Sequence, residues 1–369
     1  MHHLLILLSV FSNNIIIVVS SAAGDIVDDY DLQHCVCVPY WQCKDDYSGL
    51  IEDGMDIIDI RATDQSSEHP SRCTGDYDVC CQVECGKRKT ANGETLQFRM
   101  SSFSDFFGTR ILGSNNEAEF SEFPWMLAVL EENKTYRCGA SLIHPQVALT
   151  AAHCVTGNGP FIVRAGEWNW ESASEPLPYQ EQQTKKIIIH PQYHPNSLRN
   201  DIALMILEVP FRLTENVGLV CLPFQGTEFD DIRNQGSDCI ATGWGKNASR
   251  HGKYQSTLKK VSMPVVPRDN CTRRLREVRL GPLFRLHRSF LCAGGQANKD
   301  TCKGDGGSPL VCPIRGRPDR YQQAGIVSWG LTCGLHSTPG VYVNIALFRD
   351  WIDFNVQAYG FDNTVYNVA

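Results

Sequence analysis

The sequence predicts an all-β fold of barrel or sandwich type, preceded by a small module held together by disulfides. Three observations lead there. From Ile111 onward, short β-branched and aromatic runs (WMLAVL, SLIHPQVALTAAHC, PFIVRAGEW, DIALMILEV, SDCIATGWG, GIVSWG, GVYVNI) alternate with Gly, Pro and Asn, the signature of many short strands joined by turns. Six of the sixteen cysteines fall within fewer than fifty residues, Cys35 to Cys81, a span too short for a large apolar core. Between these regions, residues 82–110 are polar and locally basic, the composition of an exposed, protease-accessible linker.

Taken in order, residues 1–23 are an apolar run broken by Ser9, Ser12, Asn13 and Asn14 and closed by the small residues Ser20 to Ala23. This predicts a signal peptide removed near Ala23; an N-terminal membrane anchor is the competing reading, disfavoured by the Asn pair and the missing basic flank. Residues 24–34 lead into the module at 35–81. Its cysteines are Cys35, Cys37, Cys43, Cys73, Cys80 and Cys81. Neither Cys35-Val36-Cys37 nor the adjacent Cys80-Cys81 has zinc-ligand spacing, so three disulfides are expected. The linker holds Cys85. Seven cysteines precede residue 111 and nine follow it, both odd numbers, so a fully paired monomer needs at least one disulfide joining the halves. Cys85 is the natural donor. In the domain at 111–369 only Ala346–Val356 has helical periodicity, with Leu347, Trp351, Ile352 and Phe354 among charged residues.

Composition excludes some classes. A hydrophobic share of 42% over 369 residues is ordinary for a globular chain and argues against wholesale disorder. A formal charge of −7 lacks the overall basic footprint of a nucleic-acid binder. No segment after the first approaches a membrane span. Asn133, Asn247 and Asn270 each open an Asn-x-Ser/Thr sequon, a candidate glycan site.

Specific motifs then narrow the class. In order along the chain stand Phe123-Pro124-Trp125, Thr150-Ala151-Ala152-His153-Cys154, Asn200-Asp201-Ile202-Ala203-Leu204, Gly243-Trp244-Gly245, Gly304-Asp305 and Ser328-Trp329-Gly330. The segment from Ile111 to about Phe354 thereby resembles a trypsin-like serine protease domain. The resemblance implies a pair of β-barrels with His153 as general base and Asp201 orienting its imidazole. The family's nucleophile motif Gly-Asp-Ser-Gly-Gly-Pro stands here as Gly304-Asp305-Gly306-Gly307-Ser308-Pro309. Gly306 therefore occupies the position of the attacking serine and has no side chain. The N–H groups of Gly304 and Gly306 remain as an oxyanion-hole remnant, with nothing to form an acyl-enzyme. Losing that serine costs roughly six powers of ten where it has been measured. Ser308 as a displaced nucleophile is the alternative, weakened by its two-residue shift. Asp300 falls at the floor of the primary specificity pocket, where an aspartate selects Arg or Lys, and Gly330 and Gly340 match the glycines of its walls. The same resemblance implies disulfides Cys138–Cys154, Cys239–Cys312, Cys271–Cys292 and Cys302–Cys333, leaving Cys221 for Cys85.

Beside such a domain, the six-cysteine module with its CVPYWQC stretch resembles a clip domain, whose family pairing joins Cys35–Cys80, Cys37–Cys73 and Cys43–Cys81. The whole resembles a clip-domain serine protease homologue, similar to the prophenoloxidase-activating cofactors of arthropods. That implies a secreted, haemolymph-borne, non-catalytic adaptor in prophenoloxidase activation and melanisation. Its partners would be prophenoloxidase and an active clip-domain protease, with oligomerisation after cleavage. A microbial pattern-recognition or adhesion protein, binding microbial surfaces, is the alternative; an active trypsin-like protease is the residual one. Glu167, Asn169, Glu175 and Glu181 lie in a loop that resembles the family's calcium loop, against the competing reading of a plain acidic loop. Activating cleavage is expected after Arg110, freeing Ile111 to pair with Asp305; Arg88 and Arg99 are the alternative sites.

Overall fold

The computed structural model describes residues 35–39, 43, 73, 78–89, 116–157, 159–172, 175–229, 238–246, 254–296, 301, 304–331 and 337–368. Two short antiparallel strands, β1 (Cys35–Pro39) and β2 (Asp78–Gln82), carry the cysteine-rich module. Six more close into a barrel: β3 (Met126–Leu130), β4 (Tyr136–His144), β5 (Val147–Thr150), β6 (Ile162–Ala165), β7 (Gln180–Ile189) and β8 (Ala203–Leu207), in the order β3-β4-β5-β8-β7-β6. Closure leaves no exposed strand edge, and it fits the uninterrupted burial of MLAVL, VALT and ALMIL on β3, β5 and β8.

The remaining strands are β9 (Cys239–Gly243), β10 (Lys259–Met263), β11 (Val265–Val266), β12 (Phe290–Gly294), β13 (Pro309–Ile314), β14 (Arg317–Trp329) and β15 (Pro339–Asn344). They form a seven-stranded antiparallel sheet in the order β10-β9-β13-β14-β15-β12-β11. Trp125, Leu127, Leu130, Leu142, Leu149, Ile202 and Leu204 are fully buried in the first barrel, each worth about 2 kcal/mol of apolar transfer. Three helices complete the described chain: α1 (Ala152–Val155), α2 (Arg268–Leu275) and α3 (Arg349–Ala358). The C-terminal helix thus starts three residues later than the periodicity suggests, because Ile345–Leu347 winds as a 3₁₀ turn before it. Among the described residues no helix is long and apolar enough to cross a membrane.

Residues 85–89 at the start of the linker are strapped to the domain. Gly86 N–H donates to Leu219 O at 2.7 Å and Tyr321 N–H to Gly86 O at 2.8 Å, while Cys85 is bonded to Cys221. Next along, the Arg88 guanidinium donates to Glu122 from Nε at 3.0 Å and to the Tyr321 hydroxyl at 3.1 Å, and it lies over the Phe123 and Tyr321 rings. Glu122 is itself buried and also receives Lys260 at 2.7 Å. The Arg88 side chain, read from the sequence as an alternative cleavage site, is thus only 14% exposed. Arg99, Arg110 and Ile111 lie outside the described residues.

Candidate functional site

α1 follows β5 directly, and its second residue is His153. Asp201, just before β8, is fully buried; its Oδ1 accepts the backbone N–H of His153 at 2.8 Å and its Oδ2 lies 2.7 Å from His153 Nδ1. A third donor, Ser328 Oγ on β14, reaches Oδ2 at 2.6 Å. Three hydrogen bonds hold a buried carboxylate that would otherwise be costly, and they aim Nε2 of the imidazole outward. The Ser328 contact was not assigned from sequence, although its Ser-Trp-Gly context was visible there.

Opposite Nε2 stands Gly306. A Cβ built on it would lie 2.7 Å from His153 Nε2 and 3.3 Å from Cε1. The imidazole therefore fills the space that a side chain at 306 would need. No left-handed backbone demands glycine at this position, unlike Gly307, whose φ is +81° and whose Cβ would meet Gly139 O at 2.3 Å and Thr150 Oγ1 at 2.4 Å. Gly306 O accepts from Gly139 N–H at 2.9 Å, which ties the loop to β4. Ser308 is fully buried; its Oγ sits 2.0 Å from where a Cβ on Gly139 would be and 3.3 Å from one on Gly243. That places the hydroxyl in the interior, closed to a substrate.

Asp305 is buried, and its Oδ1 accepts the N–H of Gly245 at 2.8 Å. The carboxylate lies so close to β9 that a Cβ on Gly243 would meet Oδ1 at 2.2 Å and one on Gly245 would meet Cγ at 2.4 Å, which is the reason for two glycines in Gly-Trp-Gly. Gly304, with φ +96°, receives the Tyr136 hydroxyl on its carbonyl at 3.0 Å. Burial first, and the Asp305 charge after it, push the Tyr136 phenol well above its ordinary range, so it stays a donor. Tyr136 meets the rings of Trp170, Trp244 and Tyr254 edge-on. Of this aromatic support under the loop, only Trp244 belongs to a sequence motif.

Of the pocket residues, Gly330 is exposed with open space where its Cβ would be, Gly340 pairs with Ala293 across β15 and β12, and Asp300 lies outside the described residues. Disulfides join Cys43–Cys81, Cys85–Cys221, Cys138–Cys154, Cys239–Cys312 and Cys271–Cys292. Cys73 and Cys80 are disulfide-bonded; the side chains of Cys35 and Cys37, and all of Cys302 and Cys333, lie outside the description. Cys138, His153 and Cys154 cluster closely enough for a metal, but the two sulfurs are bonded to each other and offer no thiolate. Asn133 is exposed in the β3–β4 turn, its Oδ1 accepting Thr135 N–H; Asn270 Oδ1 accepts from Arg273; Asn247 is outside the description.

The acidic residues of the β6–β7 connection and the start of β7 are met by cations and backbone donors. Arg164 bonds Glu167 at 2.7 Å and Glu181 at 2.6 Å, and Lys134 reaches Glu181 at 2.9 Å. Glu175 accepts the N–H groups of Asn169 and Trp168. Burial, and the nearby Glu167 charge, raise its carboxyl above the ordinary value against the pull of those N–H groups. Crowded oxygen donors fit a hard divalent cation in kind, with Glu167 and Glu175 as the pair whose repulsion it would relieve.

Two family models match the chain: the one described as Trypsin over residues 112–352, and the one described as Serine protease Clip domain PPAF-2 over residues 29–82. Phenoloxidase-activating factor 2 of Galleria mellonella is 47% identical over 273 residues, 70% of this chain and 89% of that protein. Inactive CLIP domain-containing serine protease A8 of Anopheles gambiae is 36% identical over 343 residues, covering 89% of this chain and 91% of the relative. Inactive CLIP domain-containing serine protease A3 of Aedes aegypti is 37% identical over 345 residues, 88% of this chain and 67% of its own length. With a closed barrel and a second antiparallel sheet meeting at His153 and the 304–308 loop, and a cysteine-rich module before them, the chain belongs to the trypsin family as a clip-domain serine protease homologue.

Proposed function

We propose that this chain is a secreted, non-catalytic member of the family that acts as an adaptor in a proteolytic innate-immune cascade, assisting an active clip-domain protease in the activation of prophenoloxidase. One observation carries the non-catalytic part. His153 and Asp201 are paired as a general base requires, yet the residue facing Nε2 is Gly306, and the imidazole occupies the room its side chain would need. A base with no hydroxyl to activate makes no acyl-enzyme, and what the remaining donors supply is about a thousandfold over water. The cascade role is supported by relatives named phenoloxidase-activating factor 2 and inactive CLIP domain-containing serine proteases, and secretion by the disulfide content.

The test has two arms. Purified, cleaved protein is expected to show no amidase activity on arginyl substrates and no labelling by a serine-directed phosphonate. Stoichiometric labelling of the wild type at Ser308 would overturn the reading. In the second arm the cleaved protein captures prophenoloxidase and not bacterial cell wall; the reverse result would assign it to recognition of microbial surfaces.

A further inference from the structure

α2 and the segment after it carry a density of positive charge unusual for a chain of net charge −7: seven arginines, no lysine and two acidic residues between Arg268 and Arg288. The fold gathers them beside the site. α2 runs on through a π-helical turn, Arg276–Leu280, and is pinned to β12 by the Cys271–Cys292 disulfide. The chain then doubles back. Arg268 donates to the carbonyls of Leu286 at 3.0 Å and Phe290 at 2.7 Å, and Arg276 Nε to Phe284 O at 2.7 Å. Asn200 N–H donates to Ser289 Oγ at 3.2 Å, which ties the loop of Arg199 and Asp201 to this segment. Phe284 meets Trp329 edge-on at 6.4 Å, next to the Ser328 that holds Asp201.

Carbonyls orient these guanidinium groups without neutralising them. Among the described residues of the segment a carboxylate answers only Arg273, through Glu277 at 3.0 Å, and that pair is exposed. Arg199, Arg279, Arg285 and Arg288 are exposed. His287 registers the field: burial, then the charges of Arg199, Arg268 and Arg288, depress its proton affinity. At the bend Leu283 is 92% exposed, with Val278 before it 41% exposed.

Unneutralised guanidinium forks match carboxylates with two hydrogen bonds at a time, a geometry that lysine does not offer. An exposed leucine among them supplies the apolar centre that a protein interface sets inside a polar rim. A sulfated polysaccharide, polar along its length, would leave that leucine uncovered. We infer that the surface formed by Arg199, α2 and residues 276–288 docks an acidic segment of a different protein, one that carries an apolar side chain among its carboxylates to cover Leu283. Opposite charges accelerate and orient such docking, and salt screens it. The surface borders the remnant site without using it, so the inference stands whichever cascade the chain serves.

Fluorescence anisotropy with the full chain tests it. The probe is a fluorescein-labelled peptide of Asp and Glu with a central Leu-Phe pair, run beside an all-acidic peptide of equal charge and labelled heparin. The wild type should bind the Leu-Phe peptide more tightly than the all-acidic one, and both should weaken about tenfold or more between about 50 and about 500 mM salt. Arg279→Glu/Arg285→Glu/Arg288→Glu should lose both peptides with its circular dichroism unchanged, since the three positions are exposed. Leu283→Ser should weaken the Leu-Phe peptide alone, by about tenfold. No peptide binding by the wild type at low salt overturns the inference, as does undiminished binding by the glutamate variant. Heparin bound while neither peptide binds would reassign the surface to sulfated polysaccharide. Equal binding of the two peptides, unmoved by Leu283→Ser, would leave only an ion-exchange patch, and either result sinks the inference as well.

Discussion

At the scale of single residues, neighbouring glycines in one loop answer to different causes. Gly307 is dictated by a left-handed backbone packed on Gly139 and Thr150, whereas Gly306 is free of that demand and faces His153. Asp201 keeps three donors even so, because a buried carboxylate stripped of them would destabilise the barrel whether or not it serves catalysis. Buried titrating groups elsewhere set the response to acid. His144, at the end of β4, stacks on Phe361 at 4.7 Å and accepts Gln146 N–H at 3.1 Å; burial lowers its pKa to about 4. In the unfolded chain it takes up a proton near pH 6.5, so stability falls as the pH drops from there and the loss is complete near pH 4. The full effect is about 3 kcal/mol, of which about 2 kcal/mol is present by pH 5. Urea midpoints at pH 7 and pH 5 measure it, and His144→Leu should flatten that slope. An unchanged slope in the variant would assign the acid response to other groups.

At the scale of elements, the β6–β7 connection shows how a fold tolerates crowded acid. Arg164 lies between the Trp170 and Tyr179 rings, 4.8 and 3.9 Å from their centroids, while binding Glu167 and Glu181. That leaves Glu175 beside Glu167 with only backbone N–H groups to offset it. Calcium at millimolar concentration is therefore expected to raise the melting temperature relative to chelator, since a ligand of the native state alone must stabilise it. Glu175→Gln should remove most of that increment. Equal melting temperatures with calcium and chelator would mean that Arg164 and Lys134 suffice as the loop's cations. The sequence pointed to this loop through Glu167, Asn169, Glu175 and Glu181. It was silent on Arg164, whose role depends on β6 and β7 lying side by side with Arg164 opposite Glu181.

At the scale of the whole molecule, the strands and the His153, Asp201 and Gly306 positions were legible because each belongs to a short motif with a local backbone reason. Tyr136, Glu122 and the strap at Arg88 were not. They act through contacts between residues 34 to 233 positions apart in sequence, and no local pattern records such a meeting. The strap has a consequence for activation. A trypsin-like protease needs an arginine that can leave the surface with several residues of extended chain around it. Arg88 is held by Glu122, Tyr321 and two rings, and backbone bonds from Arg88 to Asp319 and from Lys89 to Glu122 fix its flanks. Cleavage is expected instead at Arg110, in Gly108-Thr109-Arg110-Ile111. The products should remain one species on a non-reducing gel, because Cys85 on the light fragment is bonded to Cys221 on the heavy one, and should separate into two after reduction. N-terminal sequencing of the heavy fragment should begin at Ile111; a start at Lys89 would show that the strap opens before cleavage, and separation without reductant would remove the covalent link from the activated form. Replacing Arg88 by Gln frees the linker without moving the disulfide. It should therefore speed general proteolysis between residues 86 and 110 while leaving the non-reducing pattern unchanged, which separates the electrostatic part of the strap from its covalent part.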